Sequence, residues 1–339
     1  MLRVRGGGTK DFYGEAPQGE PLETTTLRGI TSYEPSELVV SARAGTSLAE
    51  LESVLAAKGQ CLAFEPPRFA AGGTVGGMVA AGLSGPARAS VGAVRDFMLG
   101  VTLVNGRGDL LVFGGQVMKN VAGYDVSRVL AGSMGALGVI AEVSLKVLPL
   151  APAEATLRFE CSQSDALRRL NAWGGLPLPL NASHWAPLAG AGVLRVRLRG
   201  AAAAVAAACG RMGGEQEEPS QAAREWDALR DQRHPWFMQR GECDLWRLSV
   251  PQTAPVLALD GAPLVEWHGG QRWYLAAPGQ GERMRAAART AGGHATLFRA
   301  ANGAATGRFD VLEPAVARIH DALMREFDPL GVFHRGRMI

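Results

Sequence analysis

Apolar and polar residues alternate most regularly shortly before residue 150. Ala141, Val143, Leu145 and Val147 are each separated from the next by one polar residue. Successive side chains of a strand point to opposite faces, so this alternation predicts a half-buried strand that ends near Pro149. Apolar runs predict further strands at Glu37–Ala42, Phe97–Val104 and Asp109–Phe113, the last two joined by an Asn-Gly hairpin turn.

In the segment Ser47–Lys58 the apolar residues no longer alternate with polar ones but recur every three or four positions. Leu48, Leu51, Val54 and Leu55 fall on one side of a helix with 3.6 residues per turn. The segment begins with a serine followed three residues later by a glutamate, which is the pattern of a capping box. We therefore expect an amphipathic helix here.

Strand and helix patterns alternate beyond Pro152. The predicted strands are Thr156–Cys161, Gly192–Arg199, Leu245–Val250, Leu264–Trp267, Arg272–Ala276 and His294–Arg299. The predicted helices are Ser164–Trp173, Ala201–Met212, Gln221–Arg233, Gly281–Ala291 and Glu313–Phe327. Glycine-containing turns between the strands favour an antiparallel sheet with helices on one face.

These patterns place the chain in the α+β class. The change of character between Pro149 and Pro152 predicts a first domain at residues 1–150. A smaller domain with an antiparallel sheet covered by helices would follow at residues 151–300. The remaining residues, 301–339, would form a C-terminal helix and a tail that returns towards the first domain.

The composition is that of an ordinary globular protein and excludes several function classes. The chain has 339 residues, 47% of them hydrophobic and 20% charged, with a formal net charge of +3. This charge is too small to indicate nucleic-acid binding. The four cysteines lie far apart and form no zinc or iron–sulfur motif. The longest apolar run is nine residues and no secretory leader is evident, so we expect a cytoplasmic protein without a transmembrane segment.

Three glycine-rich clusters carry the candidate chemistry. They lie at Arg5–Lys10, Gly72–Gly100 and Lys119–Ile140, and small apolar residues accompany them. Glycine allows the backbone to approach a ligand closely, and successive N–H groups can converge on an anion. A phosphate-bearing cofactor therefore suits these clusters, although a glycine-rich turn in a core is the alternative for each. Neither a P-loop nor a GxGxxG motif occurs in the chain.

The order and spacing of the clusters resemble a known family. RGGGTKDF, PPRFAAGGTVGGMVAAGLSG and FGGQVMKNVAGYDVSRVLAGSMGALGVI resemble the FAD-binding domain of the vanillyl-alcohol oxidase type, also called the PCMH type. Further segments, EPP, VMKNVAGYD, AGGHAT and DPLGVF, extend the resemblance over the chain to the FAD-binding subunits of bacterial glycolate oxidases, the GlcE type.

This resemblance implies an FAD bound by the glycine clusters, and we expect it to be non-covalent because no histidine precedes His184. Arg5–Lys10 would be the pyrophosphate loop, segments 72–78 and 83–92 would line pyrophosphate and flavin, and segment 138–140 would lie along the adenine end. The implied cofactor-binding residues are Arg5, Gly6, Gly7, Gly8, Thr9, Lys10, Pro67, Gly73, Thr74, Val75, Gly76, Gly77, Met78, Ser84, Gly85, Gly92, Asp96, Gly138, Val139 and Ile140.

The chain departs from the family pattern in two places. A strand, a helix and a second strand usually precede the RGGGT loop, whereas four residues precede it here, so the N-terminal part of the domain is expected to be short. The usual ending resembles GVFNPGR, and here it is GVFHRGR at residues 331–337.

Histidine spacing bears on the chemistry. Relatives that oxidise 2-hydroxy acids carry a closely spaced histidine pair that holds a metal, and here the six histidines are at least 14 residues apart. We therefore predict no metal site, and the catalytic residues stay unassigned. The first histidine is His184, so a histidine-linked flavin is not expected in the first domain.

Five further residues could touch flavin or substrate. His268 and His294 flank glycines in the second domain, although a structural role explains each more simply. Lys119, Tyr124 and Asp125 lie in the third glycine cluster, where helix capping by Asp125 and packing of Tyr124 are the alternatives.

The leading functional hypothesis is an FAD-dependent oxidoreductase subunit of a glycolate oxidase complex, inactive alone. The resemblance implies two partners, a sister FAD-linked subunit that oxidises glycolate to glyoxylate and an iron–sulfur subunit that carries electrons onward. The complex would lie in the cytoplasm, with attachment to the inner face of the plasma membrane through these partners left open. The alternatives are a non-catalytic scaffold that keeps the fold, and a stand-alone FAD-dependent alcohol or 2-hydroxy-acid oxidase.

Overall fold

The computed structural model describes residues 1–115, 124–188, 191–303 and 306–337. Its strands are β1 (Leu2–Arg5), β2 (Glu20–Glu23), β3 (Ile30–Glu34), β4 (Val39–Arg43), β5 (Gln60–Cys61), β6 (Met98–Val104), β7 (Leu110–Gly114), β8 (Val139–Lys146), β9 (Leu148–Pro149), β10 (Ala153–Glu160), β11 (Leu180–Leu188), β12 (Ala191–Gly200), β13 (Glu215–Gln216), β14 (Asp244–Ser249), β15 (Leu264–Glu266), β16 (Gln271–Ala276) and β17 (His294–Arg299). Its α-helices are α1 (Leu48–Ala56), α2 (Val75–Ala81), α3 (Arg88–Val91), α4 (Gln163–Gly174), α5 (Ala202–Met212), α6 (Pro219–Arg230), α7 (Pro235–Met238), α8 (Gly281–Thr290) and α9 (Pro314–Phe327).

The chain divides into two compact units. The first unit contains Met1–Ser84, Gly92–Leu150 and Val311–Ile339, and the second contains Gly85–Val91 and Ala151–Asp310. Residues 301–310 thus belong to the second unit, whereas the sequence interpretation began the C-terminal segment at residue 301.

The first unit is built on a five-stranded antiparallel sheet in the order β3-β4-β8-β6-β7. Strands β1 and β2 form a separate parallel pair. Helices α1 and α2 bury their apolar faces beside the sheet, with Leu51, Leu55, Val75 and Val79 fully buried. The predicted strands and the amphipathic helix are found here within a few residues of their expected bounds. Ser47 is the N-cap of α1, but its side chain makes no capping hydrogen bond.

The second unit contains an eight-stranded sheet in the order β13-β10-β12-β11-β15-β16-β14-β17, and its paired strands are antiparallel. Helices α4, α5 and α8 bury apolar side chains against this sheet. Adjacent residues of a strand face opposite sides, and Trp185 packs with α4 and α5. Its neighbour His184 contacts Trp226 of α6. Helix α6 therefore covers the other face, so the expectation of helices on one face only was wrong.

Candidate functional site

The segment Arg5–Lys10, here called the glycine loop, follows β1 directly. Gly8 has a φ of +69°, a left-handed conformation that glycine adopts without steric cost. The N–H of Asp11 donates to the Gly8 carbonyl at 3.1 Å and closes the turn. The loop is thus a tight turn whose backbone is exposed along one side.

Two glycines of this loop are closely packed, one against backbone and one against a side chain. A Cβ on Gly7 would lie 1.6 Å from the carbonyl oxygen of Gly72, and one on Gly6 would lie 2.4 Å from the side-chain Oγ1 of Thr74. Real Cβ atoms do not approach other atoms so closely, and backbone cannot turn aside as a side chain can, so the requirement for glycine is strictest at Gly7. The first and second glycine clusters are therefore in direct contact.

The glycine loop offers N–H groups that the described residues leave unpartnered. Within the described ranges, the N–H groups of Gly7, Gly8 and Thr9 donate to no other group. The start of α2 differs, because its N–H groups already have partners: Val75 donates to the Thr46 carbonyl at 2.9 Å and Gly76 to the Ala44 carbonyl at 2.7 Å. The open N–H donors of this region therefore belong to the loop and not to the start of α2.

Arg5 holds the shape of the glycine loop. Its Nε donates to Asp11 Oδ2 at 3.0 Å, and its Nη1 donates to Glu23 Oε1 at 3.1 Å. These hydrogen bonds raise the pKa of Arg5 above its ordinary value. The guanidinium is thus already paired with two carboxylates. Arg5 also lines the cleft described below, and its binding of a phosphate stays a prediction.

A small, open cleft with a volume of about 90 Å³ lies beside the loop, entirely within the first unit. Apolar and polar residues share its lining: Val4, Arg5, Gly6, Gly7, Gly8, Thr9, Lys10, Asp11, Tyr13, Thr24, Ala44, Thr74, Gly76, Gly77, Ala80, Ala81, Met134, Gly135, Gly138, Ile140 and Arg337. The cleft therefore combines N–H donors with a largely apolar wall.

The structure brings eleven of the implied cofactor residues to this cleft: Arg5, Gly6, Gly7, Gly8, Thr9, Lys10, Thr74, Gly76, Gly77, Gly138 and Ile140. Elsewhere in the first unit, outside this lining, lie Pro67, Gly73, Val75, Met78, Ser84, Gly92, Asp96 and Val139, and Gly85 belongs to the second unit. The first group joins the three glycine clusters in one place.

Several residues outside the lining have structural partners. Val75 and Met78 are buried in the core with at most 1% exposure. Asp96 accepts from the Ala93 N–H at 2.8 Å, and Ser84 Oγ accepts from the Val94 N–H at 3.2 Å. Their motif positions are explained by these contacts within the chain.

Sequence reasoning missed part of the lining. Gly132, Gly135 and Gly138 recur every three residues in the third cluster, so a signal for Gly135 existed. Arg337 ends the segment GVFHRGR that was compared with the family pattern, but nothing in the sequence placed it beside the loop. Thr24 had no signal, because strand pairing brings it to the loop. Such residues can be found only from the tertiary structure.

Four of the five further residues that could touch flavin or substrate lie within the described ranges. His268 Nδ1 lies 2.9 Å from Ser183 Oγ and its Nε2 lies 3.0 Å from Ser90 Oγ, and burial lowers its pKa to about 4. Burial also lowers the pKa of His294. Tyr124 is 95% exposed, and Asp125 forms an ion pair with Arg128 and accepts from Ser127 without capping a helix. Lys119 lies outside the described residues.

The second unit contains a buried histidine cluster, His184, Glu225 and His234, whose ligand-type atoms lie within 4.8 Å of one another. His234 Nε2 is 3.1 Å and His184 Nε2 is 3.6 Å from Glu225 Oε1. Such a group can hold a metal, although the sequence spacing predicted none. However, the Trp236 N–H donates to His234 Nδ1 at 3.1 Å. Nε2 of that ring therefore carries the proton and donates to Glu225, so it is not free to bind a metal. Both ring nitrogens of His184 lack a hydrogen-bond partner among the described residues.

Charges in the histidine cluster are compensated within the unit. Burial alone would raise the pKa of Glu225, but the hydrogen bond from His234 and the positive charge of Arg195, 3.3 Å away, bring it to about 2. Burial, with His234 close by, lowers the pKa of His184 well below its ordinary value. Glu225 is thus ionised and His184 neutral at physiological pH.

Comparisons with known proteins agree with the geometry of the cleft. Residues 1–114 match the family described as FAD binding domain. Alkyldihydroxyacetonephosphate synthase shares the fold, with a TM-score of 0.65 at 14% identity over 97% of this chain and 71% of that one. Unpartnered loop N–H groups suit a diphosphate, and the apolar wall suits a planar ring, so the cleft fits FAD. The chain is an FAD-dependent oxidoreductase of this fold.

Two glycolate oxidase subunits are among its relatives. The chain is 42% identical over 337 residues to glycolate oxidase subunit GlcE of Escherichia coli (strain K12), an alignment that covers 99% of this chain and 92% of that protein. It therefore belongs to the GlcE family, which confirms the resemblance. It is also 30% identical over 164 residues to glycolate oxidase subunit GlcD of Bacillus subtilis (strain 168), over 48% of this chain and 35% of that one.

Proposed function

We propose that this chain is the FAD-binding subunit of a glycolate oxidase complex that converts glycolate to glyoxylate. The observation that carries the proposal is the near full-length similarity to GlcE, joined to a cleft with unpartnered loop N–H groups. Membership in a subunit family favours action within an assembly. The proposed partners are a sister FAD-linked subunit that oxidises glycolate and an iron–sulfur subunit that accepts electrons.

The residues of the cleft have distinct roles in this proposal. The N–H groups of Gly7, Gly8 and Thr9 hold the diphosphate, and Arg5 keeps the loop in shape through its two carboxylate partners. Apolar side chains such as Met134 and Ile140 exclude water from the wall of the cleft. When bound, FAD supplies a ring that takes up two electrons, which is chemistry that side chains lack.

We propose that the FAD is non-covalent. No histidine precedes His184 in the sequence, so the glycine clusters contain none to which a flavin could be linked. In the described ranges no helix has the length and apolarity to cross a membrane. We place the complex in the cytoplasm, and attachment to the inner face of the plasma membrane would depend on its partners.

The visible absorption spectrum of the purified chain, followed by acid precipitation, tests the cofactor. We expect a yellow protein that releases FAD into the supernatant. Release of no flavin on acid treatment of a yellow protein would contradict non-covalent binding. A colourless protein that also fails to take up added FAD would contradict the proposal and favour the scaffold alternative.

Reconstitution tests the assembly. We expect the chain alone to reduce no dye with glycolate and to become part of an active preparation when the two partner subunits are co-expressed. Glycolate turnover by the chain alone would contradict the need for partners. Turnover of other alcohols by the chain alone would favour the stand-alone oxidase.

A further inference from the structure

The C-terminal segment Val332–Arg337 lies beside the start of the chain. The Leu2 N–H donates to the Val332 carbonyl at 2.7 Å, and the His334 N–H donates to the Leu2 carbonyl at 2.8 Å. The fully buried Asp328 anchors this segment by accepting from the N–H groups of Val332 at 2.8 Å and Phe333 at 3.0 Å. The segment thus extends the β1 edge just before the glycine loop.

Arg337 fastens the far end of the segment to the residues that follow the loop. Its Nη2 donates to the Asp11 carbonyl at 3.2 Å and to the Tyr13 carbonyl. Its own carbonyl accepts from the Glu15 N–H at 3.2 Å. The segment is therefore bonded to the chain on both sides of the glycine loop.

Arg337 also changes the charge of the cleft. The charged side chains of the lining are Arg5, Lys10, Asp11 and Arg337, and Arg5 is bonded to Glu23 as well. Without Arg337, two cations stand against two carboxylates. With Arg337 the group carries one net positive charge, which suits the negative charges of a diphosphate.

We propose that Arg337 is a residue of the dinucleotide site, supplied by the C-terminal segment. It positions the backbone after the glycine loop and provides the net positive charge that favours the diphosphate. This inference rests on the proposed function, because it assumes that the cleft takes FAD.

The test compares FAD binding by the wild type, Arg337→Met, Arg337→Lys and the control Arg107→Met. Arg107 is exposed in the β6–β7 hairpin and does not line the cleft. Its replacement by Met therefore removes the same charge from a position outside the cleft. Flavin is removed, FAD is titrated back, and the Kd is read from flavin fluorescence at low and high salt. Circular dichroism and thermal unfolding of each apoprotein check folding.

We expect Arg337→Met to raise the Kd about 10-fold or more, because the cleft loses one attracting charge and the backbone after the glycine loop loses its hydrogen bonds to Arg337. The salt dependence of the Kd should weaken in this variant, because one attracting charge is gone. Arg337→Lys should recover part of the affinity and most of the salt dependence. Arg107→Met should match the wild type.

A second measurement does not depend on catalysis, and the use of saturating FAD for each variant separates it from the change in affinity. If FAD fixes this segment, FAD should slow tryptic cleavage after Arg335 in the wild type, and the protection should be lost in Arg337→Met. An unchanged Kd and unchanged protection in a folded Arg337→Met variant would overturn this inference alone. A wild type that binds no FAD would overturn both the inference and the proposed function.

Discussion

In the glycine loop, the N–H groups of Gly7, Gly8 and Thr9 have no partner among the described residues. In the buried histidine cluster of the second unit, Glu225 is surrounded by His184, His234 and Arg195. The cluster has the richer set of reactive side chains, and Glu225 is bonded within it to His234, but both ring nitrogens of His184 lack a hydrogen-bond partner within the described ranges. The loop has few functional side chains but leaves its backbone donors open. The unpartnered atoms of the cluster are thus enclosed in the second unit, whereas those of the loop lie beside a cleft.

The sharpest test of this comparison replaces Gly7 by Ala. The new Cβ would meet the Gly72 carbonyl oxygen at 1.6 Å, and neither backbone can move without opening the loop. We expect FAD binding to be lost and the free energy of unfolding to fall by about 3 kcal/mol or more. Titration with FAD and urea unfolding measure the two effects.

Gly73→Ala is the matched control for this substitution. A Cβ on Gly73 meets only Thr9 Oγ1, at an ordinary 3.7 Å. We expect this variant to keep its stability and its flavin. Equal losses in both variants would mean that any side chain in this region is harmful, and the close-packing argument would fail.

Substitution in the histidine cluster should lower the stability of the fold without weakening FAD binding. Glu225→Ala leaves Arg195 and His234 without their shared partner, and we expect a loss of about 3 kcal/mol in the free energy of unfolding with the Kd for FAD unchanged. Urea unfolding and FAD titration check both parts. Asp227→Ala on the same helix, at an exposed carboxylate, should change stability by no more than about 0.5 kcal/mol. Loss of flavin in Glu225→Ala would assign the cluster a role in the cofactor site.

A decrease in pH should lower the free energy of unfolding mainly by protonating the buried histidines. The pKa of His268 is about 4 in the folded chain against 6.5 for the ordinary residue, so the unfolded state binds more protons between these values. Stability is therefore complete above pH 6.5 and falls as the pH decreases towards about 4, by up to about 3 kcal/mol for this residue. Urea unfolding across this window should show the decline, and His268→Gln should reduce it. A decline of the same size in His268→Gln would exclude His268 as its source.

The smallest effect is expected at the N-cap of α2. Thr74 Oγ1 accepts from the Gly77 N–H at 3.2 Å, and Thr74→Ala should lower the free energy of unfolding by about 1 kcal/mol. Thr74→Ser should restore it, because the hydroxyl is retained. Thermal unfolding of the two variants measures the difference. If the serine variant is as unstable as the alanine variant, the methyl group and not the cap is responsible.

Local patterns predicted the elements that carry a clear hydrophobic period. β8 and α1 are found close to their expected bounds because their apolar residues repeat with the periods of a strand and a helix. β11 was missed because its sequence, LNASHWAPL, mixes polar residues and a proline with apolar ones. Burial of this strand between neighbours on both sides overrides its weak local signal.

In the candidate site, too, some features were visible in the local sequence and others depend on tertiary contacts. The glycine loop was singled out from sequence because its order and spacing with the two other glycine clusters resemble a known family, whereas three consecutive glycines alone were a weak signal. The bracing of Arg5 was not, since nothing local pairs it with Glu23, eighteen positions away on β2. The contact between His184 and Glu225 likewise depends on packing of α6 against β11 and has no counterpart in residue spacing.

The pairing of Leu2 with Val332 and His334 also bears on the timing of biosynthesis. Some three hundred residues separate the glycine loop from the segment Val332–Arg337, so the loop leaves the ribosome long before that segment is made. Until then the loop has the hydrogen bonds of Arg5 but not those of Arg337. If Arg337 belongs to the dinucleotide site, full affinity for the flavin arises only after this segment has been translated.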